Sequence, residues 1–294
     1  MTFTELNSTV EGILFILVIY KRRLNESDSF ISLVNSLKNT HLNIDIFIYD
    51  NSPSSMILNE ELSGENWKIH YVHDETNPGV SKAYNEGFKL GKKLNKKWLL
   101  LLDQDTKLPD DAIIKYCRAV LDNNEHSLFA PILVSTNGTI YSPCNYFFKR
   151  GFPMKSIEIG ILKARRKSLL NSGLLISVDI FEKVGGYNER LKLDFSDFEF
   201  LDRYRKISDN FFIINTECIH ELSSNEQDFH SSITNFTRYC KGLKIYIVAD
   251  FDSFCLFYLT LIRACKLSFR FRNINFIVVF FVTLLSISTF KINT

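Results

Sequence analysis

Continuous apolar runs alternate with amphipathic stretches along most of the chain, and each run stops at polar residues. Gly12–Tyr20 is apolar throughout and ends in Lys21-Arg22-Arg23. At that length it predicts a buried strand, far short of a membrane span. Phe30, Ile31, Leu33, Val34 and Leu37 then keep helical spacing, with Asp28 or Ser29 as the expected N-cap. Ile44–Tyr49 predicts a second strand, stopped by Asp50-Asn51-Ser52-Pro53, and Lys68–Val72 predicts a third. Strand–helix–strand order of this kind opens a doubly wound α/β unit.

Asn77-Pro78-Gly79 is a turn, followed by a helix to about Leu94. Next comes Trp98–Leu102, five apolar residues running straight into Asp103-Gln104-Asp105. An unbroken run of this length reads as a strand buried on both faces, as in a parallel sheet. Carboxylates are costly to bury unpaired, so these two mark where the strand leaves the core, at the sheet edge where ligands bind. A helix is expected from Asp110 to about Asp122, a strand over Leu128–Val134 and a turn at Thr136-Asn137-Gly138. Residues 142–168 have the least regular pattern and end in Lys163-Ala164-Arg165-Arg166-Lys167, a basic run expected on a solvated face. Asn171–Ser177 has strand character, and Val178–Val184 predicts a short helix closed by Gly185-Gly186. Asp194, Asp197, Glu199 and Asp202 crowd the start of a further helix. A helix dipole favours acids there, but four exceed what one cap needs, so at least one is expected to face a site. Phe211–Asn215 predicts a last strand, with His220 beyond its end.

The final segment differs in kind. Phe251–Cys265 is apolar and aromatic, and Lys266, Arg270 and Arg272 lead into the uncharged stretch Asn275–Phe290. That stretch falls short of a comfortable spanning length of about 20 residues. A buried helix, an interfacial helix and a marginal span all fit it. The basic flanks favour contact with an anionic cytoplasmic leaflet.

Composition narrows the picture only a little. A chain of 294 residues, 46% hydrophobic and 23% charged, is globular, and a net charge of +2 argues against nucleic-acid binding. The cysteines are scattered without a C-x-x-C pair, which fits reduced thiols in a cytosolic compartment. The polar N-terminus lacks the basic region of a signal peptide.

Asp103 and Asp105, at i and i+2, can turn toward one hard cation once the strand has ended. Oxygen ligands of this type suit Mg²⁺ or Mn²⁺. His70 and His73 sit at an odd offset in a strand, so they point to opposite faces and are expected to be surface residues. Gly79-Val80-Ser81-Lys82-Ala83 lacks the strand and sharp turn of a nucleophile elbow, which argues against a serine hydrolase. A helix N-terminus facing a diphosphate is the better reading there. A nucleotidyltransferase or phosphohydrolase would share the Asp-x-Asp metal, but no G-x-x-x-x-G-K-[ST] loop is present.

Taken in order, these motifs resemble the family 2 glycosyltransferases, in particular the rhamnosyltransferase-like subgroup of bacterial surface-polysaccharide synthesis. The matching pieces are Ile13–Tyr20, Ile48-Tyr-Asp-Asn-Ser52, Asn77–Gly87, Leu100-Leu-Leu-Asp-Gln-Asp-Thr106, Asn171–Ser177, Phe181–Glu189 and Asp194-x-x-Asp197-x-Glu199-x-x-x-Arg203. The resemblance implies an α/β GT-A fold, a Rossmann-like mixed sheet flanked by helices, over residues 1–250. An apolar helical extension, 251–294, would then associate with the membrane. It implies that Asp50 contacts the nucleoside, that Asn85 lies near the diphosphate, and that Asp103 and Asp105 hold Mg²⁺ or Mn²⁺ with His220 completing the site. Asp197 matches the catalytic base. The implied reaction inverts the anomeric centre. It moves a sugar from a nucleotide-sugar donor, dTDP-rhamnose favoured and a UDP-sugar the alternative, to a lipid-linked glycan acceptor at the inner leaflet of the cytoplasmic membrane. Two positions depart from the pattern: Tyr84 stands where many relatives have arginine, and Ser196 where many have glutamate.

Overall fold

The computed structural model describes residues 2–38, 40–57, 64–221 and 228–285. The elements run α1 (Phe3–Glu11), β1 (Ile13–Ile19), α2 (Asp28–Leu37), β2 (Ile44–Asp50), β3 (Trp67–His73), α3 (Val80–Lys93), β4 (Trp98–Asp103), β5 (Thr106–Lys107) and α4 (Ala112–Asp122). They continue with β6 (Leu128–Val134), β7 (Ile140–Phe147), β8 (Arg150–Met154), β9 (Gly160–Lys163), β10 (Lys167–Ser168), β11 (Leu175–Ser177), α5 (Val178–Val184) and α6 (Ser196–Tyr204). The chain then forms β12 (Asn210–His220), α7 (Phe229–Tyr246), α8 (Phe251–Phe271) and α9 (Asn275–Leu285).

One mixed sheet with the path β10-β7-β6-β11-β4-β1-β2-β3 carries the fold. The four strands β4-β1-β2-β3 are parallel, and β11 enters antiparallel between β4 and β6. Every residue of β1 is buried, because helices cover both faces of the sheet. One apolar cluster packs the side holding α1, α2 and α4, and a second packs the side holding α3, α5 and α6. Chain order reverses at β1, whose neighbours are β2 and β4. In register, Ile19 lies beside Asp50 and Val18 beside Asp103, so both acids stand at the carboxyl edge of the switch point.

Several sequence expectations need correction. The N-cap of α2 is Ser27, whose hydroxyl accepts from Phe30 N–H at 3.3 Å; Asp28 already lies inside the helix. Residues 142–168, expected to be irregular, contain most of β7 and all of β8, β9 and β10, short strands whose polar, half-exposed faces hide the period-two pattern. β12 is 11 residues long, and His220 is its last residue rather than a loop residue beyond it. The N-terminus of α3 is not open to a ligand at its first turn. Val80 N–H donates to Lys192 O at 2.8 Å, and Gly79 (φ 96°) admits that backbone because any Cβ would lie 2.1 Å from Lys192 O.

At the C-terminus, α7, α8 and α9 form their own core. Phe236 and Cys240 of α7 meet Ala264 and Leu267 of α8 and Phe276 and Phe280 of α9. The helix expected through Phe290 is described only to Leu285, and residues 286–290 lie outside the described residues. Among the described residues no helix is long and apolar enough to cross a membrane.

Candidate active site

The site is built from strand ends. β4 stops at Asp103, and after Gln104 and Asp105 the chain resumes as β5, which pairs antiparallel with the end of β12. That pairing sets His220 opposite Thr106 and brings it to the acids. Ligand atoms of Asp103, Asp105 and His220 lie within 4.8 Å of one another. The intervening loop is tied down at each point. Tyr20 N–H donates to Gln104 Oε1 at 2.8 Å, Ser27 Oγ donates to Gln104 O at 3.0 Å, and Ser29 Oγ donates to Thr106 O at 2.8 Å.

Asp103 and His220 each have a distinct support. Tyr84, wholly buried, donates its phenol to Asp103 Oδ1 at 2.8 Å. Thr106 Oγ1 sits 2.8 Å from His220 Nδ1 and 2.6 Å from Ser172 Oγ, and Ser172 Oγ accepts from Asp103 N–H at 3.0 Å. Burial and the neighbouring Asp105 charge raise the Asp103 pKa. Asp105 Oδ1 is buried and accepts no hydrogen bond, and His220 Nδ1 lies 3.5 Å from it. Buried carboxylate oxygens are rarely left this way without a cation. Two carboxylates and an imidazole converging on one orphaned oxygen fit a divalent ion such as Mg²⁺ or Mn²⁺.

The four acids around α6 separate cleanly by partner. Arg238 Nε donates to Asp194 at 2.8 Å. Glu199 takes a two-point contact from Arg203, at 2.9 and 2.8 Å, and Arg203 also donates to Gly186 O at 2.7 Å. Asp202 is bound by Arg205 at 2.6 Å and by the Tyr246 hydroxyl at 2.6 Å. Asp197, by contrast, forms no ion pair among the described residues; its Oδ1 accepts from Phe198 N–H at 2.8 Å. Burial, with the charges of Asp103 and Asp194 adding to it, pushes its pKa up to about 7. Phe195, just before it, adopts a left-handed conformation (φ 67°), which costs a non-glycine residue about 1–3 kcal/mol. Its ring packs against Tyr239 and Tyr246, 4.8 and 5.2 Å away between centroids, which offsets that cost.

Asp50 and Asn85 each have protein partners. Asp50 is fully buried at the end of β2. Its carboxylate accepts from Ser52 N–H (2.9 Å), Met56 N–H (2.9 Å) and the Tyr71 hydroxyl (2.7 Å), so it organises the loop after the strand. Asn85 clamps Tyr187, accepting from its N–H at 2.8 Å and donating to its carbonyl at 2.9 Å. The structure therefore brings together Asp103, Asp105 and His220, sets Asp197 within their electrostatic reach, and ties Asn85 to the segment between α5 and α6. Thr106, Ser172 and Ser29 were invisible as site residues in the sequence. Only the position of Thr106, directly after Asp105, carried any signal.

His70 and His73 have separate partners: His70 Nε2 meets Asp45 at 2.7 Å and His73 Nε2 meets Ser52 O at 2.8 Å. All six cysteines are free thiols, and burial pushes Cys117, Cys144, Cys218 and Cys240 up to about 12.

A parallel sheet with its switch point at β1, an antiparallel strand beside β4 and an acid–acid–histidine cluster at the carboxyl edge define an α/β domain with a candidate cation site where its strands end. The chain belongs to glycosyl transferase family 2, whose family model matches residues 16–174. It is 26% identical over 133 residues to the dTDP-rhamnosyl transferase RfbF of Shigella flexneri, a match covering 45% of each protein. The chain thus aligns with about half the length of that relative. Two solved structures share the GT-A fold. S. aureus TarS has a TM-score of 0.51 at 13% identity, covering 87% of this chain and 44% of that one. TarS 1-349 in complex with UDP-GlcNAc has a TM-score of 0.54 at 11% identity, covering 88% of this chain and 73% of that one.

Proposed function

We propose that the chain is an inverting, divalent-cation-dependent transferase that moves a sugar from a nucleotide-sugar donor to a hydroxyl of a growing glycan. The observation that carries this reading is the isolation of Asp197. Of the four acids around α6, it alone has no basic partner among the described residues, with its pKa pushed up to about 7, and the orphaned oxygen of Asp105 supports a cation position in the same site. A sugar hydroxyl is a poor nucleophile, and a carboxylate with a pKa near 7 takes its proton efficiently as it attacks. Asp103, Asp105 and His220 would hold Mg²⁺ or Mn²⁺. When bound, that ion offsets the charge developing on the leaving nucleoside diphosphate. Tyr84 keeps Asp103 aimed, and Thr106, backed by Ser172, does the same for His220.

The Shigella relative favours dTDP-rhamnose as donor, with UDP-hexose or UDP-galactofuranose as alternatives. Incubation of the purified protein with Mn²⁺ and each radiolabelled donor tests the reading. Release of nucleoside diphosphate from one donor, abolished by EDTA, is expected; no consumption of any donor overturns it.

We further propose a lipid-linked acceptor and a peripheral position at the inner leaflet, with 1–250 as the transferase domain and 251–294 as the membrane-associating part; the exposed apolar faces of the helical extension support this reading. Phe254, Tyr258, Phe269, Ile274, Val282 and Leu285 are exposed, and exposed Lys266, Arg270 and Arg272 lie beside them. A patch of this kind suits an interfacial helix pair on an anionic surface. Because Phe276 and Phe280 belong to the core with α7, deleting α9 would damage the fold. Phe269→Ser with Val282→Ser is the cleaner test. Binding to vesicles containing phosphatidylglycerol should fall while thermal stability holds; unchanged flotation would remove the membrane reading.

A further inference from the structure

The acidic cluster is mounted on the sheet, but the segment carrying Asp197 leans on α7. The Asp197 carboxylate accepts from the N–H of its neighbour Phe198, so its place follows the backbone around it. One face of α7 grips that backbone. Tyr239, Gly242 and Tyr246 are three and four residues apart, which puts them on the same face of the helix. The Phe195 ring packs against both tyrosines, and Gly242, buried between them, leaves a notch. A Cβ built at Gly242 would lie 3.2 Å from both Asp194 O and Phe195 Cδ2, closer than the usual contact of about 3.5–4.0 Å between carbons. Arg238, on the same helix, holds the Asp194 carboxylate at 2.8 Å. The same rings wall a concavity of about 250 Å³ between the β7–β8 hairpin, the start of α6, α7 and α8, with Phe195, Phe198 and Tyr239 in its lining. Glycine weakens a helix interior, so its place in α7 answers to this close approach rather than to the helix itself.

We infer that Gly242 is a positioning residue for Asp197. Its missing side chain lets α7 seat Phe195 in the left-handed conformation that opens α6, and two residues later this fixes where the Asp197 carboxylate stands relative to the acidic cluster. Two frames therefore meet at the site, the sheet for the cation and α7 for the base. The inference deepens the transferase reading and rests on Asp197 being its base. A side chain at 242 has to push residues 194 and 195 away by a few tenths of an ångström, a small cost to packing and a larger one to a proton transfer that depends on alignment.

Gly242→Ala tests this in the full chain, with dTDP-rhamnose or UDP-glucose and Mn²⁺. The kcat for donor turnover should fall about three- to thirtyfold, while donor KM and Mn²⁺-dependent UDP affinity stay within about twofold. Tyr239→Leu, which removes a ring from the Phe195 seat, should act in the same direction, and Tyr239→Phe should restore turnover. In an Asp197→Asn background Gly242→Ala should change kcat by less than about twofold, because residues acting through one group are not additive. An unchanged kcat, or the same fractional loss in both backgrounds, overturns the inference. The carboxyl-carbon NMR resonance of Asp197, assigned by its loss in Asp197→Asn, should also move in Gly242→Ala. If the parent turns over no donor, the transferase reading falls and this resonance decides the positioning alone; a fixed resonance refutes it.

Discussion

The acidic cluster at the ends of β4 and β12 and the concavity under the β7–β8 hairpin both lie near Asp197 and are held in different ways. The cluster hangs on backbone ladders: Asp103 ends a strand buried in the sheet, and His220 is placed by the β5–β12 pairing. The Asp103 and His220 side chains are then locked by the hydroxyls of Tyr84 and Thr106. The concavity is assembled by side-chain packing between a hairpin and three helices, with Phe195 and Tyr239 as the joint. A ladder fixes positions within tenths of an ångström, as chemistry at a metal requires. Aromatic packing between side chains fixes shape more loosely than a ladder does.

The sharpest way to break this comparison is at its centre. Asp197→Asn is nearly isosteric but cannot take a proton, so transfer should fall by about 10²–10⁴-fold with Mn²⁺-dependent UDP binding retained. Near-normal turnover would move the base elsewhere, although Asp194 and Glu199 are both committed to arginines.

On the acidic side, Asp105→Ala removes a ligand whose Oδ1 makes no hydrogen bond. Metal-dependent UDP binding, measured calorimetrically, should weaken by more than about a hundredfold. The melting temperature should not fall, because the charge of Asp103 loses a like-charged neighbour. A folded variant that still binds Mn²⁺ and UDP like the parent would separate the cluster from the donor site.

Tyr84→Phe probes the support rather than the ligands. Losing one neutral donor to Asp103 is worth about 0.5–1.5 kcal/mol, so Mn²⁺ affinity should drop about two- to tenfold with Asp103 still present. An unchanged affinity would make Tyr84 a packing residue only.

The smallest effect is on stability and depends on pH. Asp197 has a folded pKa of about 7 against 3.8 for the ordinary side chain. Its protonation therefore favours the fold, fully below about pH 4, and that contribution is lost as the pH rises through about 7. Asp197→Asn should melt a few degrees higher than the parent at about pH 8, with the difference vanishing near pH 4. An equal difference at both values would show that desolvation of the charge is not what the parent tolerates.

The apolar runs by themselves determined the core strands. Ile13–Ile19, Ile44–Asp50, Trp98–Asp103 and Leu128–Val134 are continuous and buried, and a strand covered on both faces leaves no alternation to misread. The position of Asp103 and Asp105 was equally local, because carboxylates can follow a buried strand only where it leaves the core. The half-exposed strands β7 to β10 carried no such signal. What only the tertiary structure decided is which polar groups are left over. Four acids around α6 look alike in sequence, and cations from distant elements, Arg238 of α7 for Asp194 and Lys149 of the β7–β8 turn for Asp202, neutralise them selectively. Asn85 likewise matched a motif, but a clamp on Tyr187, 102 residues away, uses its amide. Burial and pairing are properties of neighbours brought together by the sheet, and a residue's own identity does not contain them.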